Sequence, residues 1–101
     1  MHSMDNIKKL GKLDMAANDA WAKFQDFNSA TMAEGAISQK NKELIALAVA
    51  LTTQCGYCLE IHREAAEKTG ASQEEIAETI MIASAMRAGA AVTHGTHLLA
   101  D

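Results

Sequence analysis

Leu44-Ile45-Ala46-Leu47-Ala48-Val49-Ala50-Leu51 is apolar at eight consecutive positions. As a helix it presents hydrophobic surface in every direction rather than along one stripe, so it has to lie at the centre of the chain with other elements packed around it. A membrane span needs roughly 20 such residues, and this run therefore reads as a buried core helix. Ser38 stands where its hydroxyl can cap the helix, and Glu43 sits at the edge of the apolar run. The rest of the chain agrees with a helical reading. Its 101 residues include no proline, are 49% hydrophobic and only 4% aromatic, and are rich in alanine, a composition that favours helices over sheets. The expectation is an all-α protein, a compact helical bundle forming a single domain over residues 4–101. Met1-His2-Ser3, ahead of Met4, reads as a cloning remnant. A core of this size is adequate but not generous, which leaves a part for neighbouring subunits.

From Asp5 to about Met32, Leu10, Leu13, Ala17, Trp21, Phe24 and Phe27 recur at three- and four-residue steps and predict one long amphipathic helix. Its aromatic rings are expected against the domain's own core, with a neighbouring subunit as the alternative. Gly35 breaks the pattern. A further helix is predicted from about Gly56 to Lys68, ending near Gly70. Ser72-Gln-Glu-Glu75 is a capping-box pattern that opens the last helix, which carries Ile76, Ile80, Met81, Ala83 and Met86. Alanine and glycine dominate from Ala83 to Gly95, so a kink or break is expected near Gly89. His94 and His97 read as a polar helix end.

A formal net charge of −4 with interspersed signs offers no basic stripe for a phosphate backbone, which argues against nucleic-acid binding. No uninterrupted apolar run approaches a bilayer span, and the N-terminus has no signal-peptide h-region. A soluble cytoplasmic protein with no membrane partner is expected. In a reducing compartment a Cys-x-x-Cys pair is more often catalytic or metal-binding than a structural disulfide.

The two cysteines of the chain form Cys55-Gly56-Tyr57-Cys58, and His62 follows one helical turn after Cys58. Cys55 lies three residues before Cys58 and His62 four after it, so the three groups converge on one helix edge. Two arguments assign the reactive thiolate differently. A helix N-terminus stabilises the anion and nominates Cys55. His62, at i+4, can take a proton from Cys58 and nominates that sulfur. Glu43 could orient His62, although its local reading is a solvated acid in the first turns of a helix. Metal binding is the chemical rival, because Cys55, Cys58 and His62 supply three ligands and His94 or His97 could supply a fourth. Structural zinc sites usually draw two ligand pairs from separate segments, which disfavours zinc here. A metal-binding or redox-sensing module thus stands as the alternative to a dithiol enzyme, and a scaffold with a vestigial dithiol as a third. Leu59, immediately after the second cysteine, excludes the c-type haem pattern.

Glu43, eleven intervening residues, Cys55-Gly-Tyr-Cys58, three residues and then His62 resemble the active-site motif of the alkyl hydroperoxidase D-like, or carboxymuconolactone decarboxylase, family. The resemblance extends in outline over the whole chain. It implies a compact helical fold and a thiol-dependent peroxidase or disulfide reductase with no cofactor beyond its dithiol. By the same resemblance Cys58 is the attacking sulfur, Cys55 resolves it as a disulfide, and Glu43 and His62 form a proton relay. Regeneration then falls to an external reductant: a lipoyl-bearing partner, a thioredoxin-like protein or a small thiol. Family members of this kind form homotrimers or homohexamers, with the aromatic helix as the candidate interface. The best-known hydroperoxidases carry histidine immediately before the second cysteine, where this chain has Tyr57. The decarboxylase branch lacks the cysteine pair, so lactone decarboxylation is not expected.

Overall fold

The computed structural model describes residues 3–101; Met1 and His2, part of the segment read above as a remnant, lie outside the described residues. Ser3, grouped with them above, N-caps a 310 segment over Met4–Lys9. Five helices follow: α1 (Leu10–Ala16), α2 (Asn18–Met32), α3 (Gln39–Thr53), α4 (Gly56–Lys68) and α5 (Gln73–Gly95), before a last 310 turn at Thr96–Leu98. No strand occurs among the described residues. The all-α expectation holds.

α3 is the central helix, packed on α4 and on α5. Ser38 caps it as predicted, its Oγ accepting the Asn41 N–H at 3.2 Å. Leu47 and Ala50 of α3, Ala66 of α4, and Thr79 and Ala83 of α5 are the buried residues. The small partners matter: alanine on α4 and α5 lets both helices approach the leucine-bearing α3 closely. α3 and α5 run parallel. Lys40 Nζ lies 2.8 Å from Glu75 Oε2 near one end, and Arg87 Nη1 donates to the Thr52 carbonyl at 2.7 Å near the other, each pair 35 residues apart in sequence. That constant offset keeps the two helices in register over their shared length. α4 folds back antiparallel to α3 through a sharp corner at Gln54, whose φ of 57° closes an N–H bond onto the Ala50 carbonyl.

The capping box opens α5 as expected: Ser72 Oγ accepts the Glu75 N–H at 3.1 Å and Glu75 Oε1 accepts the Ser72 N–H at 3.0 Å. The Lys40 ammonium, and after it the Ser72 N–H, hold the Glu75 carboxyl below its ordinary range. Because this folded-state value is lowered, the stability it carries is present above the unfolded carboxyl value and is lost as pH falls through the folded one.

Four expectations need correction. The long first helix is interrupted at Ala17 (φ −139°, ψ 51°), between α1 and α2. α1 buries none of its residues, so no tertiary packing holds it in line with α2. Phe24 and Phe27 do not reach the core: they are 55% and 68% exposed, and only Trp21 is half-buried, with Phe24 stacked on it. The apolar α3 is not buried on every side, since Ile45 and Val49 are 50% and 55% exposed on the face that neither α4 nor α5 covers. Finally, α5 passes Gly89 without a break. One glycine costs about 1 kcal/mol in a helix, and the surrounding alanines absorb it. By length and composition alone, the helical stretch Gln73–Leu98 could cross a membrane, a property it owes to alanine rather than to an uninterrupted run of large apolar side chains.

Two substitutions test the local devices of this fold. Ser72→Ala should lower the unfolding free energy by about 1 kcal/mol through loss of the cap. Gln54→Gly, relieved of a Cβ at positive φ, should not lower it. Equilibrium urea unfolding measures both.

Candidate functional site

The chemistry-bearing residues lie along the α3–α4 pair: the cysteines at the corner after Gln54, and Glu43 with His62 farther along the two helices. Because Gln54 takes a left-handed conformation, Cys55 leaves the corner in extended geometry (φ −88°, ψ 97°) and becomes the N-cap of α4. Its sulfur accepts the Cys58 N–H at 3.3 Å. Both cysteines are free thiols and half-buried. Donation from the Cys58 thiol, aided by the backbone N–H groups of Cys58 and Tyr57, holds the Cys55 thiol below its ordinary value. Cys58 is pushed up, first because it gives its proton to that bond, then by burial and by the charge on Cys55. Of the two thiols, Cys55 is therefore the one favoured for ionisation, as the helix-end argument has it.

His62 and Glu43 are brought together, although they sit on different helices. His62 Nδ1 lies 2.6 Å from Glu43 Oε2, with the two side chains 23% and 14% exposed. A carboxylate can only accept, so in this contact the proton sits on Nδ1, and Nε2 is the ring nitrogen that Glu43 does not engage. The local reading of Glu43 as a solvated acid is thus corrected by the fold: the antiparallel return of α4 places an imidazole against it. Cys58 and His62 share the wall of a cavity of about 540 Å³, whose other walls include Met32, Ile37, Ile45 and Val49. The uncovered face of α3 is one side of this cavity.

Two contacts near the site had no signal in the local sequence. Lys42 also lines the cavity, and its Nζ donates to the Thr31 and Ala33 carbonyls at 2.8 and 2.6 Å, which fastens the end of α2 to α3. Asn6 Nδ2 donates to the Tyr57 hydroxyl at 2.8 Å, across 51 residues of sequence. A lysine near a helix C-terminus is a recognisable pattern once the helix is known. The Asn6 contact has no such precursor. His94 and His97 stack edge to face at the end of α5, their ring centroids 5.0 Å apart. Among the described residues, no group of three or more His, Cys, Asp or Glu side chains is arranged to hold a metal ion. Cys55, Cys58 and His62 are therefore not gathered as a ligand set.

Comparison with known proteins adds a family. Residues 18–101 match the model of the carboxymuconolactone decarboxylase family. The chain is 41% identical over 91 residues to an uncharacterized protein of the cox locus of Paracoccus denitrificans, covering 90% of this chain and 82% of that protein. It is 30% identical over 93 residues to an uncharacterized protein of Cupriavidus necator, covering 92% of this chain and 82% of its relative. Its fold is similar to the crystal structure of a carboxymuconolactone decarboxylase family protein from Legionella pneumophila. The TM-score is 0.77 at 33% identity, over 81% of this chain and 73% of that one.

The thiol hydrogen bond makes a checkable demand. Cys58→Ala removes the principal donor to the Cys55 sulfur, so the pH midpoint for alkylation of Cys55 should rise towards the ordinary thiol range. A midpoint unchanged from the parent protein would mean that the donor contributes nothing.

Proposed function

This chain belongs to the carboxymuconolactone decarboxylase family, and we propose that within it the protein is a thiol-dependent reductase of organic hydroperoxides or disulfides, working through Cys55 and Cys58. The observation that carries the reading is the 2.6 Å contact between His62 and Glu43, with His62 and Cys58 on the wall of one apolar cavity. A base held in a single orientation beside a thiol is the arrangement of activated-nucleophile catalysis. Retention of both cysteines favours thiol chemistry over lactone decarboxylation.

The proton assignments give each group a task. Cys58 is a thiol at rest, so its attack requires a base, and His62 Nε2 is that base. The Cys58 sulfur takes the terminal oxygen of the hydroperoxide, the O–O bond breaks, and the alkoxide leaves with the proton held by His62. Cys58 is now a sulfenic acid. The Cys55 thiolate attacks the Cys58 sulfur and displaces hydroxide, which solvent protonates to water, leaving a disulfide. One dithiol and one hydroperoxide thus give one disulfide, one alcohol and one water. An external thiol, whether lipoyl-bearing, thioredoxin-like or small, returns two electrons and two protons through Cys55, which lies outside the cavity lining. The setting assigned to this cycle is the reducing cytoplasm. Glu43 acts through His62, holding the tautomer that leaves Nε2 basic.

The exposed Phe24 and Phe27 of α2, and Met81, Ile82, Met86 and Val92 of α5, support a homotrimer or homohexamer, since a surface this apolar is rare on a monomer. α5 joins the aromatic helix as a candidate interface. Light scattering at micromolar concentration should return three or six chain masses.

Brief exposure of the reduced protein to one equivalent of an organic hydroperoxide tests the chemistry directly. Intact mass should fall by two hydrogens, and Cys58→Ser should abolish that loss. His62→Ala should slow it by about a hundredfold, the lower range for a general base. An unchanged mass in the parent protein would rule out the peroxide half-reaction.

A further inference from the structure

We propose that the N-terminal segment Met4–Lys9 is a strap on the dithiol turn, and that Asn6 is a positioning residue which, through Tyr57, holds that turn in the shape of the reduced pair. Asn6 Nδ2 donates to the Tyr57 hydroxyl at 2.8 Å in a partly buried contact. Met4, Asn6 and Ile7 are half-buried, while Asp5, Lys8 and Lys9 are exposed, so the segment lies against the protein on one side. It also lies outside residues 18–101, the part that matches the family model.

Tyr57 occupies the position between the cysteines, and its own backbone N–H is among the donors to the Cys55 sulfur. A side chain fastened at 2.8 Å therefore sits on the same residue as one of the sulfur's hydrogen bonds. A disulfide brings the two sulfurs to about 2.05 Å, which moves the Cys55 sulfur relative to the Cys58 N–H it now accepts at 3.3 Å, and the turn between them has to readjust. An interaction made better in one redox state than in the other favours the first by that difference, and the redox state acts back on the interaction equally. The strap accordingly favours the dithiol, and losing it favours the disulfide.

Redox equilibrium with dithiothreitol reads this out. The cysteine pair gives two electrons and two protons to oxidised dithiothreitol, forming the protein disulfide and reduced dithiothreitol. Tyr57→Phe deletes only the hydroxyl, and Asn6→Ala only the amide. Each should move the equilibrium constant towards the protein disulfide by about threefold, which is about 14 mV for a two-electron couple at 29.6 mV per tenfold. Since both changes break one bond, the double variant should shift no further than either single one. Asn6→Asp, whose carboxylate accepts from the phenol, should restore part of the shift. Constants equal to the parent's in both single variants, or shifts that add in the double, would overturn the proposal. The inference builds on the dithiol reading above, but its measurement does not need peroxide turnover. A pair inert to hydroperoxide with a shifted constant sinks the peroxidase reading alone, and a reactive pair with an unshifted constant sinks the strap alone.

Discussion

Everything in this fold hangs on the packing of α3 between α4 and α5. A helix that is apolar on all sides cannot be left at a surface, and here its two best-covered faces are held by helices that contribute alanine where they touch it. The parallel register with α5 is fastened near both ends, by Lys40 with Glu75 and by the Thr52 carbonyl with Arg87. α4 must then return alongside α3 through the corner at Gln54. That return brings Glu43 and His62 together, so their contact is a by-product of core packing rather than of local sequence. The third face of α3, where Ile45 and Val49 stand half exposed, becomes a cavity wall because nothing in the single chain covers it.

What could be read in advance follows the range of the interactions. Ser38, the span 56–68 and the Ser72–Glu75 box were all legible, because each is decided by hydrogen bonds within one helical turn. The convergence of Cys58 and His62 on one edge of α4 was legible for the same reason. Glu43 is nominated by its place beside the apolar run and by motif spacing, while its partner His62 lies 19 residues away on another helix, and that contact has no local signal. The Asn6–Tyr57 bond spans 51 residues and had no periodic or motif signal at all. Errors arose where a local rule met a competing one. Apolar periodicity ran through Ala17, but α1 buries none of its residues, so nothing holds it in line with α2. Glycine suggested a break at 89, and a run of alanines overrode it.

The conflict between the two cysteines also has a structural answer. A helix end acts on Cys55 through oriented N–H groups at all times, so it governs the resting state. Cys58 faces a different environment: it shares a cavity wall with His62, and its thiol is pushed up rather than down. Under the proposed cycle the two sequence arguments therefore describe different sulfurs at different steps, the helix end acting on Cys55 and the base on Cys58.

Helices are usually capped by oxygen, from serine, threonine or a carboxylate, and an oxygen cap is permanent. α4 is capped by sulfur, a weak acceptor, with the Cys55 sulfur receiving the Cys58 N–H at 3.3 Å. An anionic acceptor holds an N–H more strongly than a neutral one. The grip on the first turn of the helix carrying His62 therefore strengthens when the Cys55 sulfur is ionised and weakens when it is protonated, a dependence that an oxygen cap of serine or threonine does not have.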